Sequence, residues 1–121
     1  MDKMSTELGF KVLHFGVNCD DEQSAKKVAV IFGSVFGLPL KEGKSSIFAG
    51  PLIELMKGSG RGRCGHIAIG TNDLDKARKY LEDLGMEFDD HSVKYDSEGK
   101  PILIYLKEEI AGFAVHLLLE E

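Results

Sequence analysis

Three histidines and one glutamate, His14, His66, His116 and Glu54, each interrupt an otherwise apolar run of the chain. The runs are Val-Leu-His-Phe-Gly-Val at 12–17, Leu-Ile-Glu-Leu-Met at 52–56, Gly-His-Ile-Ala-Ile at 65–69 and Ala-Val-His-Leu-Leu-Leu at 114–119. Residues i and i±2 of a strand share a face. Glu54 therefore lies with Leu52 and Met56, His116 with Ala114 and Leu118, His14 with Val12 and Gly16, and His66 with Ala68. A solvated face would carry more than one polar residue, and a lone carboxylate turned inward is costly unless something compensates it. Taken singly, each histidine reads as a satisfied core residue. Taken together, three imidazoles and a carboxylate suit one divalent metal ion (zinc, nickel, iron or manganese), and the ion supplies the compensation.

The elements that must bring these residues together read as one unit written twice. The first copy, 8–57, opens with a strand over about 10–18. Its helix starts at a capping-box-like Asp20-x-x-Gln23 and ends at Gly37, a C′ glycine. Ala25, Val28, Ala29, Phe32, Val35 and Phe36 follow helical spacing and predict one buried face. Short strands at 46–49 and 52–57 flank a Gly50-Pro51 turn. The glycine-rich segment 58–63 links to the second copy, 64–121. There a strand at 64–70 leads to a helix capped near Asn72 or Asp73, whose apolar positions are Leu74, Ala77, Leu81 and Leu84. Strands at 86–88, 92–95, 101–107 and 113–119 follow. Residues 1–7 are expected to be disordered, leaving 8–121 as a single domain. His14 aligns with His66, and Glu54 with His116. Each copy supplies the one crossover helix that a parallel return to the sheet requires. The expected fold class is α+β: two βαβββ units forming a curved, mostly antiparallel sheet around a concave metal or ligand site.

This pattern resembles the vicinal oxygen chelate superfamily, which includes glyoxalase I, drug-sequestering resistance proteins and extradiol dioxygenases. The resemblance runs from about Phe10 to Leu119 and rests on the four strands around His14, Glu54, His66 and His116. In metal-bearing members these four positions carry the ligands. His14, Glu54 and His66 match the usual residue types, whereas His116 stands where a glutamate is most common. The Asp-Pro-Asp-Gly turn common before the last strand is replaced by Glu109-Ile-Ala-Gly112. The resemblance implies a metal-dependent enzyme that chelates neighbouring oxygens of a small substrate, with isomerase, epimerase or lyase chemistry by proton transfer next to a carbonyl. Glu54 would serve as ligand and catalytic base. The alternatives are a non-catalytic small-molecule-binding module, an accessory module of a keto-acid aldolase system, and an extradiol-type dioxygenase.

Other residues have a functional and an ordinary reading. Arg63, two residues before the strand of His66, is the best placed of Lys57, Arg61 and Arg63 to clamp a substrate anion; the ordinary reading is a solvated linker. Tyr105 would contact substrate, and His91 would act as an acid/base, by analogy with the extradiol enzymes. Ordinary packing serves Tyr105 equally, and a loop after Asp89-Asp90 serves His91. Glycines 58, 60, 62 and 65 do not make a phosphate loop, lacking a following helix and a Gly-Lys-Ser/Thr ending.

Composition narrows the classes further. In 121 residues, 43% hydrophobic and 29% charged, the chain has the balance of a globular domain rather than a disordered one. A net charge of -5 without a basic face argues against nucleic acid. Cys19 and Cys64 make no disulfide framework, and no apolar run reaches membrane-spanning length, so a cytoplasmic protein is expected. The open sheet edges predict a homodimer.

Overall fold

The computed structural model describes residues 3–58 and 60–120. Its strands are β1 (Lys11–Asn18), β2 (Leu40–Glu42), β3 (Ser46–Ala49), β4 (Ile53–Met56), β5 (Gly65–Thr71), β6 (Phe88–Tyr95), β7 (Pro101–Leu106) and β8 (Phe113–Leu119). The helices are α1 (Lys3–Glu7), α2 (Glu22–Val30) and α3 (Leu74–Asp83). All eight strands join one open, curved sheet in the order β2-β3-β4-β1-β5-β8-β7-β6. Among the described residues, β1 with β4 and β5 with β8 run parallel, and every other neighbouring pair is antiparallel. This is the expected α+β architecture. Each unit returns in parallel to its own first strand, and the two first strands meet antiparallel at the centre.

Helices α2 and α3 are each fixed at their start by an aspartate. Asp21 accepts a hydrogen bond from the Ser24 backbone N–H at 2.7 Å, and Asp73 accepts one from that of Lys76 at 3.0 Å. The first cap is thus Asp21 rather than the Asp20–Gln23 box. Helix α2 lays Ala25 and Ala29 on Ile47 and Leu55, and α3 lays Leu74 and Ala77 near Ile104 and Leu117. Leu55 and Leu117 directly follow Glu54 and His116, so strand alternation turns the two polar side chains to the face opposite the helices. The fold thereby separates a greasy helix-bearing layer from a concave face free for chemistry.

Several local expectations are corrected. Residues 3–7 are helical rather than disordered, because the segment is tied down. Leu8 is buried, Thr71 Oγ1 donates to the Leu8 carbonyl at 2.8 Å, and Asn72 Nδ2 donates to that of Glu7 at 2.8 Å. Met1 and Asp2 lie outside the described residues. Helix α2 runs into a π-helical turn, Ile31–Val35, before Gly37 at φ +71°. The extra residue in that turn swings Val35 and Phe36 off the buried face, leaving them 72% and 66% exposed. Leu84 lies past the end of α3 and is likewise exposed. The segments expected at 86–88 and 92–95 are replaced by one strand, β6, which begins at Phe88 and whose register shifts between Asp89 and Lys94. Strand β2 had no distinct signal in the sequence.

Candidate metal centre on the concave face

The four central strands, β4, β1, β5 and β8, carry Glu54, His14, His66 and His116 respectively. Register places them on one face. His66 and Glu54 both lie opposite Gly16, while His14 and His116 both lie opposite Ala68. Gly16 and Ala68 occupy equivalent places in the two units, each two residues after a histidine. Gly16 forms a low floor over which the His66 imidazole of the other unit extends. At Gly16 space is short: an added Cβ would stand 2.7 Å from His66 Nε2 and nearer still to Cε1 and Nδ1, so the ring would have to move.

The donor atoms converge. Glu54 Oε1 lies 3.1 Å from His66 Nε2 and 3.4 Å from His14 Nε2, and the two Nε2 atoms are 3.4 Å apart. A tetrahedral ion with bonds of ~2.0–2.1 Å sets its ligand atoms about 3.3 Å from one another. The trio therefore already has the spacing of one face of such a coordination sphere. His116 completes a three-histidine cluster whose nitrogens lie within 4.8 Å of one another. His66 and His116 are 7% and 3% exposed.

The electrostatics favour ligand-ready states. Burial pushes the His14 imidazole down, with Glu54 partly opposing, and pushes His116 down to about 4. Both are thus neutral at neutral pH, with a nitrogen lone pair to give. Glu54 is held below the usual carboxylate range, first by the His66 hydrogen bond and then by Ser46, against the opposing effect of burial. Ser46 Oγ donates to Glu54 Oε2 at 2.7 Å, fixing the carboxylate so that Oε1 faces the histidines. Sequence reading missed Ser46, which on β3 carries no signal beyond being a polar residue in an apolar strand. It also missed Gly16, whose signal was present as the His-x-Gly and His-x-Ala pair.

A cavity of about 400 Å³ opens beside the histidines, lined by His66, Arg61, His91, Ser92, Lys94 and Tyr105 among others. Tyr105 packs edge-on against His116, with ring centroids 4.8 Å apart. Burial pushes its phenol upward, keeping the O–H as a donor. His91 lies on β6 rather than in a loop. Arg63, the expected clamp, does not line this cavity. Its backbone N–H donates to Glu109 Oε2 at 3.0 Å, and its side chain lies over Gly112. Arg61 takes the position instead, with its guanidinium 4.5 Å over the Tyr105 ring.

No protein-family model and no curated protein matches the chain. Solved structures do. The hypothetical protein BH1468 from Bacillus halodurans is 19% identical, with a TM-score of 0.64 over 93% of this chain and 96% of that one. Methylmalonyl-CoA epimerase from Mycobacterium tuberculosis is 14% identical, with a TM-score of 0.63 over 91% and 87%. A variant of the Streptomyces coelicolor methylmalonyl-CoA epimerase, in complex with 2-nitronate-propionyl-CoA, is 16% identical, with a TM-score of 0.60 over 91% and 96%. No described helix is long and apolar enough to cross a membrane. At these identities the likeness shows a shared fold: the chain has the α+β, eight-stranded mixed sheet of these proteins over nearly its whole length.

Proposed function

We propose that this chain is a metal-dependent enzyme of the vicinal oxygen chelate superfamily that moves a proton next to a carbonyl of a small oxygen-bearing substrate, as an isomerase or epimerase does. The observation that carries the reading is the mutual spacing of His14, His66 and Glu54, already that of ligands around one ion. His14, Glu54, His66 and His116 would hold the ion. When bound, it supplies Lewis-acid stabilisation of negative charge on a substrate oxygen. Glu54 is the only carboxylate of the set and takes the proton from the substrate carbon, while Ser46 keeps one of its oxygens anchored. Tyr105, protonated and facing the cavity, donates to a substrate oxygen. Phe48, edge-on to His14 with centroids 5.7 Å apart, shields the ligand set from water on the β3 side. The epimerase activity named for the structural neighbours supports this class of chemistry.

The test is solvent exchange at carbon. The zinc-, nickel-, iron(II)- or manganese-loaded protein is incubated in D₂O with methylmalonyl-CoA and a set of 2-oxo acids, and proton NMR follows the hydrogen next to the carbonyl. Metal-dependent exchange is expected with at least one substrate. Glu54→Gln is expected to retain the fold and much of the metal while lowering the rate ~10²-fold or more. Full exchange activity in Glu54→Gln would refute the base assignment.

One observation favours a second reading. His91 and Tyr105 both line the cavity beside His66, as an acid/base pair would beside a two-histidine, one-carboxylate iron site. Oxygen uptake by the iron(II)-loaded protein with catechol, in place of carbon-bound exchange, would select extradiol chemistry.

We also infer a homodimer. Its support is an apolar hollow of about 460 Å³ on the helix-bearing face, bordered by Phe15, Ile67, Ile69 and Ile110, with Phe15 39% and Ile110 49% exposed. Sedimentation as a monomer at micromolar concentration would oppose it.

A further inference from the structure

The wall of the concave cavity away from the histidines is cationic. Arg61 and Lys94 line it together with His91, Ser92 and Tyr105, and no carboxylate lines it among the described residues. This is unexpected in a chain of net charge -5. Several cations elsewhere on the surface are paired: Lys57 lies 2.7 Å from Glu42 and 3.2 Å from Glu22, Lys11 lies 3.1 Å from Glu120, and Arg78 engages Glu82 and Asp90.

Arg61 is held in place. Its Nη2 donates to Asp89 Oδ2 at 2.8 Å, and its plane is backed by the Tyr105 ring. Asp89 is itself fixed, since its Oδ1 accepts from the His91 backbone N–H at 3.0 Å. One edge of the guanidinium is thereby spent on positioning, and further N–H donors remain for a ligand. Lys94 is different. It lies opposite Leu103, two residues along β7 from Tyr105 and so on the same face of the sheet. No hydrogen bond or ion pair engages its ammonium among the described residues. A fixed guanidinium and an uncommitted ammonium thus share one cavity with His66.

We propose that Arg61 and Lys94 form a subsite for a second anionic group of the substrate, a carboxylate or a phosphate a few bonds from the oxygens that meet the ligand set. This rests on the metal-enzyme reading above. The guanidinium presents paired donors to the planar or tetrahedral anion, and the ammonium adds a point charge. The natural substrate class is therefore a small dianion rather than a monoacid, which an otherwise acidic protein selects by this cationic wall.

Three acids of matched length test it: 2-oxovalerate with a methyl end, 2-oxoglutarate with a carboxylate end, and 2-oxo-4-phosphonobutyrate with a phosphonate end. Binding to the zinc-loaded and the EDTA-treated protein is measured by calorimetry, for the wild type, Lys94→Met, and Lys94→Met with Arg61→Met. At least one anion-tailed acid is expected to bind the wild type ~10-fold or more tightly than 2-oxovalerate. The tighter of the two names the anion. Lys94→Met should remove most of the preference while leaving 2-oxovalerate binding unchanged, and the double variant should remove all of the preference. Equal binding of all three acids by the wild type overturns the subsite, as does a preference indifferent to Lys94→Met or no binding of either anion-tailed acid at millimolar concentration. Failure of the metal reading shows separately, as binding of 2-oxovalerate that zinc does not alter, because the comparison of tails is made in both metal states.

Discussion

Replacing Gly16 by alanine adds one methyl group to the floor of the proposed metal centre. Gly16 is not in the left-handed region, so the backbone tolerates the change and only space is at issue. The new Cβ would stand 2.7 Å from His66 Nε2 and closer to two other ring atoms. Ordinary contact begins near ~3.5 Å, and the nearest ring atom lies well inside that limit, so the ring must retreat by more than about 1 Å. Metal–ligand distances tolerate about 0.2 Å, so a retreat of that size takes His66 out of the ligand set. Loss of supporting groups outside the ligand set typically costs ~10–100-fold in metal affinity, and displacement of a ligand should reach or exceed the upper end of that range. The metal-free protein should lose about 1–3 kcal/mol to overpacking. The assay is zinc affinity by chelator competition, with the His66 imidazole signals followed by NMR. Gly58→Ala serves as the control, because an added Cβ there meets nothing within 4 Å. Wild-type zinc affinity and unshifted His66 signals in Gly16→Ala would refute the reasoning.

Ser46→Ala removes the donor that anchors Glu54 Oε2, so the carboxyl rises towards its ordinary range; the acid limb of the rate–pH profile should move to higher pH, and stability should fall by about 1.5–3 kcal/mol. His116 titrates near 6.5 when unfolded but at about 4 in the fold, so the unfolded chain binds the extra proton in between; stability is full above pH 6.5 and is lost as pH falls towards 4. For the metal-free protein the loss should approach about 3 kcal/mol in urea unfolding between pH 7.5 and pH 4, and His116→Gln should flatten that dependence; an unchanged slope in the variant would count against it.

The convergence of His14, Glu54, His66 and His116 was legible because each violates a local rule. A single polar residue inside each of four apolar strands is costly unless the four meet, and the duplicated unit supplied the geometry by which they do. The helix-bearing face was legible through Ala25, Ala29, Leu74 and Ala77, whose spacing matches their burial. The cation on the cavity wall was not. Which arginine of the 58–63 segment turns inward depends on the path of a glycine-rich link, where no periodicity carries direction, and the structure selects Arg61 by stacking it on Tyr105. His91 read as a loop residue because Asp89-Asp90-His91-Ser92 lacks apolar alternation, yet the register shift there is a property of pairing with β7. The π-helical turn left no trace in composition, and so the exposure of Val35 and Phe36 could not be foreseen.

The proposed chemistry requires that His14, Glu54, His66 and His116 hold one divalent ion. Elemental analysis of protein purified without an affinity tag tests it most directly, repeated after loading with zinc, nickel, iron(II) and manganese and dialysis, beside a His14→Ala/His66→Ala variant. About one ion per chain is predicted for the wild type, with retention lost in the double variant. Wild-type protein that retains none of the four metals, or a double variant that retains as much as the wild type, would contradict the account.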